Sequence, residues 1–326
     1  MPDLRISLGP LTLQNPVLVA AGTFGYGMEF ARGVRLAGLG GIITKTVTRA
    51  PRDGNPPPRL VETPSGMLNA VGLQNVGLDA YLKEKLPLLK GCGAPVIASI
   101  LGETPEELGE MARRLDQADG VAAIEINLSC PNIAHREQGA GGAGQGKGPL
   151  SPAPCPVPRM VSQDPEATFA MVQAARAATA KPLIAKLSPD VTDLAPVAQA
   201  AERAGATALS LVNTFVGMAI DPATRRSRLG AMTGGLSGPA IRPLAVYRVW
   251  YTAQTVRIPV IGLGGIVRAE DALEFLLAGA SAVALGTANF ANPRAALSVV
   301  RGLERYLSRH QVASVHDLRG AVNRAS

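Results

Sequence analysis

The amino-acid sequence predicts an α/β protein built as a closed (β/α)8 barrel, with an N-terminal β-hairpin and long loops inserted at the C-terminal face. Three observations carry that expectation. Short apolar, β-branched runs recur eight times along the 326 residues. Ala-rich stretches with helical spacing separate successive runs, as parallel connections require. Nearly every informative polar cluster falls just after such a run. In a (β/α)8 barrel those strand ends converge on one mouth, which speaks against an open doubly wound sheet.

Taken in order, the chain opens with Leu4-Arg-Ile-Ser-Leu-Gly-Pro-Leu-Thr-Leu13, which reads as a short hairpin that closes the bottom of the barrel. Strands are expected near 17–21, 41–46, 95–100, 121–127, 183–187, 208–212, 259–262 and 282–285. Helical patterns at 104–115, 165–178, 194–204, 240–252 and 269–278 fall between them. Two of these begin with a side-chain acceptor before a proline, Thr104-Pro105 and Asp164-Pro165. Such pairs cap a helix and pre-set its first turn. The chain is expected to form one domain over 1–326, with an interruption at 133–163 that is rich in Gly and Pro and lacks periodicity. This stretch reads as a long surface loop or disordered segment. Within it, Gly141 to Gly148 imitates a nucleotide-triphosphate loop, but Gly148 stands where the hydroxyl residue after Lys147 belongs, and no helix pattern follows. A second irregular stretch, 50–58, is held extended by its prolines and leads into 65–75, whose glycines and carboxamides suit a lid or ligand-clasping loop.

The polar residues after the strands are Lys45-Thr46, the run 127–132, Lys186, Asn213-Thr214, Gly264-Gly265 and Gly286-Thr287. The two glycine motifs follow the seventh and eighth strands, where this fold commonly holds a phosphate. Glycine lets backbone N–H groups approach an anion, and a helix N-terminus adds a favourable dipole.

Composition excludes several classes. With 47% hydrophobic and 17% charged residues the chain can bury a large core. Three cysteines without CxxC spacing, and no N-terminal apolar signal, lead us to expect a reducing cytoplasm. No apolar run approaches the length that crosses a bilayer, so no membrane association is expected. The net charge of +7 is spread along the chain and aromatics make up only 4%, which fits anionic small molecules or an acidic partner better than nucleic acid. His135, His310 and His316 form no ligand-spaced pair, so no metal site is expected.

Cys130 is the principal catalytic candidate. It follows the apolar run 121–126, and Asn127, Ser129 and Asn132 crowd polar groups around it. A thiol at such a strand end can serve as a proton-transfer group, whereas Cys92 and Cys155 read as small apolar residues.

These residues resemble the class 1 dihydroorotate dehydrogenases, specifically the FMN-binding catalytic subunit of the 1B type, a (β/α)8 TIM barrel. The matching segments are Asn15-Pro-Val-Leu, Ala21-Gly-Thr23, Thr44-Lys-Thr46, Gly54-Asn-Pro, Asn69-Ala-Val-Gly-Leu-Gln-Asn75, Asn127-Leu-Ser-Cys-Pro-Asn132, Lys186-Leu-Ser-Pro189, Val212-Asn-Thr214, Gly217-Met-Ala-Ile-Asp221, Thr233-Gly-Gly-Leu-Ser-Gly-Pro-Ala240, Gly264-Gly265 and Gly286-Thr287. They span the chain in the family's order. The resemblance implies oxidation of (S)-dihydroorotate to orotate in pyrimidine synthesis, with Cys130 as base at C5 and hydride transfer from C6 to N5 of FMN. It assigns substrate contacts to Lys45, Asn69, Asn127, Asn132, Asn213 and Thr214, with the backbone of Ala70, Val71, Gly72 and Leu73 holding the carboxylate. Flavin contacts fall on Ala21, Lys45, Thr46, Ser99, Asn127, Lys186, Val212 and Gly238, with Gly264, Gly265, Gly286 and Thr287 gripping the phosphate. Lys45 would lie between flavin and substrate carboxylate, and Lys186 near the N1–C2 carbonyl edge.

Two departures from the family stand out: Ser99 occupies a position where Asn is usual, and the 133–163 stretch is longer than the usual link. The 1B likeness further implies a homodimeric core joined to an electron-transfer subunit carrying FAD and a [2Fe-2S] cluster, a heterotetramer that delivers electrons to NAD+. This chain offers no cysteine quartet for a cluster. Other readings of the residues are a dihydropyrimidine dehydrogenase of the same flavin family, a flavin-free phosphate-binding barrel isomerase or lyase, and a non-catalytic scaffold subunit.

Overall fold

The computed structural model describes residues 2–128 and 160–323. Eight parallel strands, β1 (Val17–Val19), β2 (Gly41–Ile43), β3 (Val96–Ile100), β4 (Ala123–Asn127), β5 (Leu183–Lys186), β6 (Ala208–Leu211), β7 (Val260–Leu263) and β8 (Ala282–Leu285), close into a barrel in chain order, β8 pairing back onto β1. Every residue of these strands is buried. Helices cover the outside and side chains fill the inside, so the strands read as unbroken apolar runs rather than alternating ones. All eight fall where the sequence predicts them.

The five predicted helices are present as α1 (Pro105–Asp116), α2 (Pro165–Ala178), α3 (Ala195–Arg203), α4 (Arg242–Ala253) and α5 (Ala269–Leu277). Thr104 accepts the Glu107 N–H at 3.2 Å and Asp164 accepts that of Glu166 at 2.8 Å, so both predicted caps form. A further helix, α6 (Ala295–Arg309), lies beyond the predicted elements. It buries Ala295, Val299, Leu303 and Leu307, a four-residue spacing that is itself legible in the sequence.

The hairpin pairs Ile6–Leu8 with Leu11–Leu13, and Gly9 at its turn packs on Thr207, just before β6 begins. It therefore sits at the N-terminal end of the barrel, opposite the mouth. Over the mouth lies an antiparallel sheet of four strands in the order Phe215–Gly217, Gly234–Ser237, Gly66–Asn69 and Leu60–Thr63. The 65–75 stretch, expected as a lid or ligand-clasping loop, is in part paired strand, seated on a small cluster of Val61, Leu68, Ala70 and Leu229. The end of the 133–163 stretch is corrected. Val161–Gln163 forms a short 3-10 turn, and the fully buried Ser162 accepts the Ser188 N–H at 3.2 Å. Residues 133–159 lie outside the described residues. Among the described residues no helix is long and apolar enough to cross a membrane.

Gly40, leading into β2, shows how tightly the first two strands meet. A Cβ there would overlap the carbonyl oxygen of Asn15 and stand 2.9 Å from that of Val17. Gly40→Ala is expected to lower stability by about 1–3 kcal/mol, the range for overpacking a filled site. Urea denaturation checks this, and a midpoint equal to that of the parent protein would show that β1 and β2 can separate without cost.

Candidate active site at the mouth of the barrel

A cavity of about 410 Å³ opens at the C-terminal ends of the strands. Because parallel strands end on one side, their last residues gather there. Lys45 and Thr46 follow β2, Asn127 ends β4, Lys186 ends β5, and Val212 and Asn213 follow β6; all line the cavity. Ala21 lines it beyond β1, and Gly286 and Thr287 beyond β8. Asn69, Val71, Gly72, Leu73, Thr214 and Gly238 enter from the mouth sheet and its connections, and Gly264 and Gly265 from the turn after β7.

Polar side chains in this cavity are oriented by specific partners. Asn69 donates to the Gly235 carbonyl at 3.2 Å, and Asn213 Oδ1 accepts the Thr214 N–H at 2.8 Å. Asn127 donates to Thr46 Oγ1 at 3.4 Å, and Thr46 shares a hydrogen bond of 2.8 Å with Ser99. Ser99 in turn donates to the fully buried Glu125 at 3.0 Å. Thr287 donates to Ser237 Oγ at 2.7 Å.

The glycine turn after β7 is specified by backbone geometry. Gly264 has φ +134° and Gly265 φ +74°, values L side chains rarely adopt, and a Cβ on Gly265 would lie 2.8 Å from the Gly238 carbonyl oxygen. The residues there must be glycine for the chain to pass, and the turn presents bare backbone to the cavity.

Charge in the cavity is one-sided. No described lining residue is acidic, while Lys45 and Lys186 both reach it. Burial, aided by the nearby Arg59 guanidinium and opposed by Glu29, holds the Lys45 ammonium below the ordinary lysine range. Such a cation is poorly solvated and gains from an anionic ligand. Nearby, burial raises the Asp190 carboxyl above its ordinary range, although it accepts the Val216 N–H at 3.2 Å and so ties the mouth sheet to the segment after β5. No group of His, Cys, Asp and Glu among the described residues could hold a metal ion.

The cavity thus brings together most of the residues singled out from the sequence. Two lie elsewhere. Ser99 is fully buried behind Thr46 and can act on the cavity only through it; its short hydroxyl reaches Thr46 and Glu125 and no further. Ala70 is buried under the mouth sheet, where its N–H donates to the Arg59 carbonyl at 2.8 Å and its own carbonyl accepts from Asn55 at 3.1 Å. Its backbone is thereby committed, which leaves Val71, Gly72 and Leu73 to face the cavity. Cys130 and Asn132 lie outside the described residues. The lining also includes Leu60, Met67, Ile266, Val267 and Phe290, which sequence reasoning did not reach. They are apolar and carry no chemical signature, so only their placement marks them. Ser237 could have been found, since it belongs to the motif at 233–240.

Comparison with known proteins agrees with this geometry. A family model described as dihydroorotate dehydrogenase matches residues 4–143 and 151–307. The chain is 50% identical over 321 residues to the protein named dihydroorotate dehydrogenase B (NAD(+)), catalytic subunit, of Geotalea uraniireducens, covering 98% of each. Proteins of the same name from Trichlorobacter lovleyi and Geobacter sulfurreducens are each also 50% identical, over 98% of this chain and 99% and 98% of theirs. A match of this extent, from the hairpin through α6, carries one conclusion: the chain belongs to the dihydroorotate dehydrogenase family.

Proposed function

We propose that this chain is the FMN-dependent catalytic subunit of a class 1B enzyme that oxidises (S)-dihydroorotate to orotate in pyrimidine synthesis and passes electrons to NAD+ through a partner subunit. One observation carries the reading: Lys45, Lys186, Asn69, Asn127, Asn213 and two glycine turns, arriving from separate segments, face a single cavity with no acidic residue among its described lining. An FMN would fit the donor set on two counts. The glycine backbone at 264–265 suits a phosphate, and the cavity's apolar residues and paired cations suit a flat ring that becomes anionic on reduction.

When bound, FMN supplies the hydride acceptor for C6 of the substrate. The chain does the rest. Cys130 takes the proton from C5, Lys45 attracts the carboxylate, and the backbone of Val71 to Leu73 orients it. Asn69, Asn127, Asn132, Asn213 and Thr214 read the ring's polar edge, because a carboxamide offers both donor and acceptor to a dione. Lys186 stabilises the negative charge that reduction brings. Ala21, Thr46, Val212, Gly238, Gly286 and Thr287 complete the flavin site, and Ser99 contributes through Thr46. The chain acts as one domain in the cytoplasm, as a homodimer joined to an electron-transfer subunit bearing FAD and [2Fe-2S]. The printed words "catalytic subunit" and "NAD(+)" in the relatives' names support that partner and acceptor.

The test is anaerobic addition of dihydroorotate to the purified yellow protein. Bleaching of the flavin, with colour restored by NAD+ only when the partner is co-expressed, is the expected result. A colourless protein would point to a flavin-free barrel enzyme, and bleaching by dihydrouracil in place of dihydroorotate would point to dihydropyrimidine chemistry.

The depressed basicity of Lys45 gives a pH prediction with a definite sign. Its proton leaves at lower pH than from an ordinary lysine, whose reference value is 10.5. Attraction for the substrate carboxylate therefore fades on the alkaline side earlier than a free lysine would allow. A bound carboxylate favours the charged form and lifts the pKa again, so kcat/KM should fall before kcat does. Lys45→Arg, whose guanidinium stays protonated, should move the fall in kcat/KM to higher pH. Coincident pH profiles for kcat and kcat/KM would remove Lys45 from carboxylate binding.

A further inference from the structure

Behind the glycine turn after β7 lies an ion pair between a buried carboxylate and a partly buried guanidinium that the chemistry above leaves unused. Asp271, in the first turn of α5, is 2% exposed. Its Oδ2 accepts the N–H groups of Val267 at 2.9 Å and Arg268 at 3.0 Å. Its Oδ1 is paired with the guanidinium of Arg242, the first residue of α4. Arg242 also packs against the turn, where a Cβ on Gly265 would lie 2.8 Å from the Arg242 Cβ.

This arrangement divides the donors of the turn. The N–H groups of Val267 and Arg268 are committed to Asp271, whereas no acceptor among the described residues takes those of Gly265 and Ile266, both of which line the cavity. A carboxylate beside an anion site would ordinarily repel the anion. Arg242 cancels that charge at its source while holding α4 against the glycines.

We propose that Arg242 and Asp271 form a positioning pair that sets the 264–268 turn as a phosphate cradle and neutralises the carboxylate beneath it, so that the site selects FMN over unphosphorylated riboflavin. The inference rests on the reading that this turn receives the flavin phosphate. Neither side chain touches the reacting atoms; both act through the backbone of the turn.

The experiment titrates flavin-stripped full-length protein with FMN and with riboflavin, following flavin fluorescence. The parent protein is expected to bind FMN the more tightly. Asp271→Asn frees the Arg242 charge, which favours an anion, but weakens the hydrogen bonds that set the turn; with positioning the larger effect, FMN should weaken about tenfold and riboflavin less than about twofold. Arg242→Gln leaves the carboxylate facing only the exposed Arg268 guanidinium, 3.7 Å away, and should weaken FMN selectively too, with a loss that shrinks as salt is raised. If the parent protein binds both ligands equally, the phosphate reading falls and the inference with it. If the parent prefers FMN and both variants keep the same ratio of affinities, the inference alone falls, the pair then being only a helix cap. Should Asp271→Asn fail to fold, the ratio measured for Arg242→Gln decides in the same way.

Discussion

Cys130→Ala is expected to slow flavin reduction by dihydroorotate by about 10²–10⁴-fold, the range for loss of a positioned general base, while the protein purifies with its normal flavin content. The proton at C5 must leave as the hydride leaves C6, and a methyl group cannot accept it. Flavin retention should be unaffected, because Cys130 is not among the residues assigned to the flavin and the phosphate is assigned to turns after other strands. Asn127, three positions earlier in the chain, lines the cavity. As the proposed base Cys130 acts as its thiolate, and a free thiol has a pKa of about 8.5, so the parent protein's rate of reduction should rise with pH through the alkaline side of neutrality. Cys130→Ser should lose that rise within the accessible range. Stopped-flow absorbance reads both effects. Reduction of the Ala variant at the parental rate would leave the residue with no part in the chemistry, and would revive the scaffold reading if the parent were equally slow.

Lys186→Met should produce the second large effect, a loss of about 10²–10³-fold in the rate of flavin reduction with a lowered flavin reduction potential. Lys186 ends β5 in register with Asn127 and is 5% exposed, so its ammonium is held at the cavity floor rather than out in solvent. A fixed cation in a water-poor site stabilises developing negative charge more strongly than the same group in bulk water. Met keeps the length of the side chain, which separates loss of charge from loss of packing. A snorkelling lysine at the barrel rim would leave the potential where it was, and an unchanged potential together with an unchanged rate would assign Lys186 to that role.

Lys45, Asn127, Lys186 and Asn213 were legible before any coordinates, for a local reason. Each stands at or just beyond the end of a short apolar run, and a closed parallel barrel turns that position into a place at the mouth. The glycines at 264–265 were legible in the same way, since a strand followed by paired glycines and a helix pattern describes its own turn.

Other parts of the site had no local signal. The strand Gly66–Asn69 pairs with Gly234–Ser237, and the Asn69 to Gly235 hydrogen bond spans 166 residues of sequence. With glycines in place of alternating apolar residues, neither segment announces a strand until the other is beside it. Ser99 and Ala70 do not reach the cavity: Thr46 stands between it and the Ser99 hydroxyl, and the Ala70 backbone is already paired with Arg59 and Asn55, contacts between distant segments that no local pattern announces.

By itself the sequence determined the barrel, the order of its strands and the set of polar residues sent to the mouth, because periodicity, capping and strand-end chemistry act over a few neighbouring residues; the family showed in the ordered motifs alone. Only the tertiary structure decided which of those residues share the cavity, how the mouth sheet covers it and that Arg242 on α4 meets Asp271 on α5 behind the glycine turn. Those are contacts between distant segments, and their energy exists only once the barrel has closed.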